Sequence, residues 1–257
     1  MQSMIRRPLV RSMLALVVAG LSACGGDGGD DSSAPALFGA QGGWSGTSSG
    51  GDSVAVLILE DGSTWAYSGA ETSGGVVVDT LVQGSLQANG NNLSGSDLRG
   101  FDIASGNAVA LTASGSYSAT TLNLAVSGGA IADSIAASPS PSATYDYNQV
   151  AQLSALAGGW AGFFTTGDDG TITIQSNGQF SSITSAGCAI TGTATPRPSG
   201  KNVFNISVTF GPAPCLLPSG TASGVAVITH PTTGRSQLSV LVTNATRDSA
   251  AAFFGSR

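Results

Sequence analysis

Residues 42–62 read GGWSGTSSGGDSVAVLILEDG, and residues 158–178 read GGWAGFFTTGDDGTITIQSNG. Laid over each other without a gap, they pair Gly42, Gly43, Trp44, Gly46, Gly51, Asp52, Ile58 and Gly62 with Gly158, Gly159, Trp160, Gly162, Gly167, Asp168, Ile174 and Gly178, eight identities in 21 positions. So glycine-rich a composition gives about two by chance, and the constant offset of 116 residues therefore marks a duplication. Asp61-Gly62 and Asn177-Gly178 fall in the same register, and both pairs suit tight hairpin turns that need positive φ. Each copy is expected to begin with the same hairpin.

Outward from that hairpin, apolar residues recur with period two. Val109, Leu111 and Ala113 are followed by Leu122, Leu124 and Val126 in the first copy. Ile172 and Ile174, then Phe204, Ile206, Val208 and Phe210, then Val225 and Val227, then Leu238, Val240 and Val242 continue the pattern in the second. Gly, Ser and Asn bound the runs. Seven or eight such strands per hundred residues, with short turns, predict an all-β chain: two tandem antiparallel meander domains, each a small barrel or sandwich. Ser138-Pro139-Ser140-Pro141-Ser142 reads as part of a linker over residues 132–147, dividing a domain at 37–131 from one at 148–257. Asn148 is the expected cap of a short helix carrying Val150, Leu153 and Leu156 on one face, ended by Gly158 and able to plug a barrel mouth.

The front of the chain has the three parts of an export signal, with Arg6, Arg7 and Arg11 ahead of an apolar run from Met13 to Leu21. That run is far shorter than the roughly 20 residues a bilayer span needs. Leu21-Ser22-Ala23-Cys24 resembles the lipobox of bacterial lipoproteins. The resemblance implies a cleaved signal peptide at 1–23, acyl chains on Cys24 that anchor the protein in the lipid bilayer, and, with Gly25 rather than Asp next, sorting to the outer membrane. Residues 24–36 follow as a flexible acidic tether.

From Cys24 onward six basic residues face fifteen acidic ones, a net charge of −9. The cations are scattered, which excludes nucleic acid as a partner. An exported chain sits in an oxidising compartment, so Cys188 and Cys215 are expected to form a disulfide rather than a redox or zinc site.

Gly46-Thr47-Ser48-Ser49-Gly50 fits the G-x-S-x-G pattern, but a strand follows where the hydrolase elbow needs a helix, and His230 lies in the other copy. The Gly25–Asp31 stretch carries one partial calcium repeat where stacked copies are required, and Asp168-Asp169-Gly170 reads as a turn. Glu60, Asp61, Glu71 and Asp79 are unpaired as acid and base. No catalytic residue, metal ligand or cofactor is assigned.

Gly43-Trp44 and Gly159-Trp160, each at the entry to a first strand, resemble the G-x-W signature of lipocalin-like barrels. The resemblance implies that Trp44 and Trp160 close one end of each barrel or contact a ligand, and that a late-strand arginine, with Arg247 suitably placed in copy two, packs over the tryptophan. A non-enzymatic binding or interaction module at the envelope is the leading expectation, with an exposed aromatic patch around Phe163 and Phe164 its sign of a protein partner. A carrier of a small apolar ligand is the alternative, and an unfilled barrel interior is what separates the two.

Overall fold

Residues that alternate between apolar and polar lay one wet face and one dry face along a strand, and a strip of such strands becomes stable when it rolls up and removes its edges. The chain does this twice. The computed structural model describes residues 38–257 apart from 73, 74, 130, 218 and 233, so the expected leader, Cys24 and the expected tether lie outside the described residues. The first copy forms β1 (Gly42–Ser48), β2 (Ser53–Ile58), β3 (Ser63–Thr72), β4 (Gly75–Ser85), β5 (Gln87–Asn89), β6 (Asn92–Asp102), β7 (Ala108–Tyr117), β8 (Leu122–Gly128) and β9 (Ile131–Pro139). Pairing of β4 with β6 and of β9 with β1 closes an eight-stranded antiparallel barrel, with β5 a three-residue arm on β6.

A single helical turn, α1 (Leu153–Leu156), leads into the second copy. Its strands are β10 (Gly158–Phe164), β11 (Asp169–Ile174), β12 (Gln179–Ile183), β13 (Ala189–Pro196), β14 (Phe204–Phe210), β15 (Thr221–Thr229), β16 (Gln237–Thr243) and β17 (Ala250–Ser256), again a closed meander. Both copies are barrels rather than sandwiches.

The repeat is exact in register. Trp44 lies opposite Val56 as Trp160 lies opposite Ile172, and Gly42 opposite Ile58 as Gly158 lies opposite Ile174. Gly62 and Gly178 take φ of 81° and 85°, a region that side chains rarely enter, and a Cβ on either would strike a carbonyl oxygen.

Two boundaries differ from the sequence reading. Residues 132–139, expected in the linker, belong to β9, where Ile131, Asp133, Ile135 and Ala137 fall on one face and the strand pairs with both β8 and β1. Pro139 is tolerated because it is the last residue of its strand, and the next backbone bond is made by Ser140 N–H to the Gly43 carbonyl. The helix is shorter than expected and starts after Gln152 without a side-chain cap. Asn148 instead accepts a bond from Lys201 Nζ at 2.9 Å, and Val150 is exposed.

The described residues form three apolar cores. One fills each barrel, and a third lies between them, where Leu57, Leu59, Trp65, Val78, Leu81 and Phe101 from the outside of the first barrel meet Val203, Val225, Leu241 and Ala252 from the outside of the second. Tyr145 and Tyr147 of the connector are buried in this seam, donating to the Asn202 carbonyl at 2.8 Å and to Glu60 at 3.0 Å. Burial pushes both phenols up, so they act there as neutral donors. Residues 37–257 form one compact unit accordingly.

Cys188 and Cys215 are bonded and join the loop after β12 to the loop after β14, 27 residues apart. Closing a loop of that length removes about 3.5 kcal/mol of unfolded-state entropy. Reduction is therefore expected to lower the unfolding free energy by up to that amount, measured by denaturant titration with and without dithiothreitol.

Candidate functional site

One end of each barrel is plugged by its tryptophan. Trp44 Nε1–H donates to the Ala40 carbonyl at 3.0 Å and Trp160 Nε1–H to the Leu156 carbonyl at 2.8 Å, again at the same offset. A buried indole needs such a partner, and both rings lie under 9% exposed as floor residues. Neither lines the central cavity of its barrel.

The cation over Trp160 is Arg257, 4.2 Å from the ring centroid, its guanidinium also donating to the carbonyls of Ala155 and Ala157. Arg247 is elsewhere. It sits in the turn between β16 and β17, at the end of the barrel opposite Trp160, and binds Asp97 Oδ1 at 2.7 Å and the Gln83 carbonyl at 3.0 Å on the first barrel. β17 runs back from that turn to the floor, so only the residue beyond it can reach the indole.

Above the floors the barrels diverge. Phe164, Phe180, Phe210 and Phe253 point into the second, leaving about 40 Å³. At the positions of Phe164 and Phe180 the first barrel has Ser48 and Thr64, and a cavity of about 170 Å³ remains. Val54, Val56, Leu111, Leu124, Val126 and Ile135 form its wall, and no phenylalanine is among its lining residues. Thr64 turns its hydroxyl away, donating to the Gly62 carbonyl at 3.0 Å.

Asp52, Asp79 and Asp133 rim the cavity at the end opposite Trp44. Asp52 stands on the inward line of β2 with Val54, Val56 and Ile58, and Asp133 on the inward line of β9 between Ile131 and Ile135. Asp79 is the extra residue of a β-bulge: Ser68 pairs with Thr80 and Gly69 with Val78, so Asp79 has no opposite number. Asp133 Oδ1 takes the backbone N–H groups of Ser49 at 3.0 Å and Ser134 at 2.7 Å, plus the Ser49 hydroxyl at 2.5 Å. Ser68 Oγ reaches Asp79 at 3.4 Å. Among the described residues no group of three acids, histidines or cysteines converges on a metal-sized point.

The other residues singled out from the sequence are scattered. Ser48 Oγ accepts from the N–H groups of Gly50 and Asp52, shaping a turn, while His230 pairs with Ser236 at 3.0 Å in the second barrel. Glu60 and Asp61 belong to the seam, bound to Arg197 at 2.7 and 2.9 Å. Glu71 accepts from Ser53 Oγ. Asp168 is tied to Thr166 within its turn. Phe164 is buried inside its barrel. Phe163 is 38% exposed on the outside, beside Phe254 at 5.6 Å, which in turn meets Tyr67 edge-on at 5.0 Å.

Asp52 and Asp133 are the residues that sequence reading passed over. The signal was an acid on an apolar period-two line, Ile131-x-Asp133-x-Ile135.

No family model and no curated protein sequence matches the chain. Among solved structures, a protein of unknown function of the DUF3598 family from Nostoc punctiforme is similar over 84% of this chain and 94% of its own, at 15% identity and a TM-score of 0.25. Among the described residues no helix is long and apolar enough to cross a membrane.

Proposed function

We propose that this is a non-enzymatic binding protein of the bacterial envelope, held to the outer membrane through an acylated Cys24, whose first barrel takes a small apolar ligand. One observation carries the ligand half of this reading. Two barrels built to one register differ fourfold in free interior, because aromatic side chains fill one and serine and threonine stand in their places in the other. An apolar cavity of about 150 Å³ is enough to take a benzene-sized molecule, and 170 Å³ is of that order. The second barrel then serves as packed support.

Neutral toluene or benzyl alcohol is expected to bind the full chain in calorimetry and to raise its melting temperature. Thr64→Phe, which copies Phe180 of the second barrel, is expected to weaken that binding about tenfold or more by occupying the cavity. Wild-type affinity in this variant, with its fold intact by circular dichroism, would refute the assignment.

The anchor has its own test. One acyl chain holds a protein only marginally, whereas two or three hold it for good. Cys24→Ala is therefore expected to move the protein from the membrane fraction to the soluble one, and retention in the membrane would count against lipid as the tether.

The exposed Phe163 favours a second reading, contact of the outer face with a protein partner. Protection of the protein from protease added to intact cells would speak against an extracellular partner.

A further inference from the structure

We infer that the ligand of the first barrel is a small amphipathic amine, an apolar body seated on the valine and leucine wall with a protonated nitrogen at the rim. This rests on the cavity being the binding site; the carboxylates do not make the site but select what enters it. Three observations point to a cation.

The first is placement. Asp133 occupies an inward-facing position of a strand whose other inward residues are apolar, Asp52 directly precedes β2 in the turn at the mouth of the cavity, and Asp79 is left without an opposite number by a bulge. All three line the cavity, so a protonated nitrogen seated at its mouth would meet them.

The second is that the barrel does not need Asp133, although the second copy keeps an acid, Asp168, in the place of Asp52. Gly46 pairs with Ala137 in the first copy and Gly162 with Gly255 in the second, which sets Ile135 against Phe253 and Asp133 against Ala251. Ala251 lines the interior of the second barrel without difficulty. The same register position thus accepts a methyl group, and the acid in the first copy is not a requirement of closure.

The third is the lack of an internal counter-charge. Among the described residues no lysine or arginine lines the cavity. Arg197 and Arg247 are held in the contacts between the barrels, Arg257 lies on Trp160, and Lys201 lies over Tyr147 while bonded to Asn148. A bound cation would meet three acids and no competing base.

Three isosteres separate the possibilities: benzylamine, benzyl alcohol and benzoate, titrated calorimetrically into the full chain. Benzylamine is expected to bind about fivefold or more tighter than benzyl alcohol, with benzoate weakest, and the preference to shrink on raising salt from low to about 0.3 M. Asp133→Ala, which copies Ala251, is expected to lower benzylamine affinity more than benzyl alcohol affinity and so to shrink the ratio between them, and an unchanged ratio would overturn the charge preference. If benzyl alcohol binds as well as benzylamine in the wild type, the charge preference is wrong and the apolar cavity stands. If none of the three binds, the cavity is not a binding site and the inference falls with it.

Discussion

Trp160→Ala is expected to destabilise the protein by about 3–5 kcal/mol, read from the denaturant midpoint with the disulfide intact. The ring is fully buried against Leu156, its N–H holds the Leu156 carbonyl, and Arg257 stacks on its face. Truncation would leave a void that a closed barrel cannot collapse into, since the floor strands are hydrogen-bonded on both sides. It would also strip Arg257 of its aromatic partner. Trp160→Phe keeps most of the volume and loses the donor, so it should cost about 1–2 kcal/mol. Trp44→Ala should cost less than Trp160→Ala, because Trp44 is slightly exposed at 5%. A loss under about 1 kcal/mol for Trp160→Ala would mean that the plug is not a stability element.

Arg197→Met is expected to cost about 3 kcal/mol, because it leaves the half-buried Glu60 without its cation. Arg197 binds Glu60 Oε1 and Asp61 Oδ2 across the seam and Asn205 on its own barrel. Combining it with Glu60→Gln should recover more than half of the loss, since removing both charges is far cheaper than stranding one.

The pair also carries a pH signature. Burial by itself would push Glu60 and Asp61 up from their ordinary values of 4.5 and 3.8. Hydrogen bonds outweigh it in both, from the backbone, Arg197, Ser199 and Tyr147 at Glu60 and from Ser63 and Arg197 at Asp61, and both pKa values lie lower in the folded state than in the unfolded one. The unfolded chain therefore binds more protons. The contribution is complete above about pH 5 and is lost as pH falls through the lowered folded values. Wild-type stability should decline with acid below about pH 4.5, and the decline should be shallower in the Arg197→Met variant. An equal slope in the two proteins would remove this pair from the acid response.

Much of the architecture was legible in the residues. Val109-Leu111-Ala113 and Leu238-Val240-Val242 are strands with those side chains inward, and the 116-residue offset predicts the pairing of both entry hairpins. The seam is hidden from period-two alternation, because a strand buried on both faces does not alternate. Val54 to Leu59 is apolar without a break, and it has two buried faces: Val54, Val56 and Ile58 inside the barrel, Leu57 and Leu59 against the other one. Ser138-Pro139 misled because Pro and Ser mark linkers on average, whereas a terminal strand position needs no N–H from proline. Chain order points to Arg247 rather than Arg257 because it carries no information on which end of a barrel a turn occupies. The cavity was written plainly, in Ser48 and Thr64 standing where the other copy has phenylalanine, but its meaning depends on knowing that all four positions point inward.

The seam joins unlike surfaces, the early strands of one barrel and the late strands of the other. A contact of that kind, if each barrel offered both surfaces, would let molecules string together end to end into a fibre. The chain stops this at its first opportunity. At the 116-residue offset, Leu57, Leu59 and Trp65 correspond to Thr173, Gln175 and Ser181, all exposed, and the outer late strands of the first barrel carry Thr112, Ser116, Asn123 and Ser134. At these positions each barrel keeps one apolar side and presents polar side chains on the other.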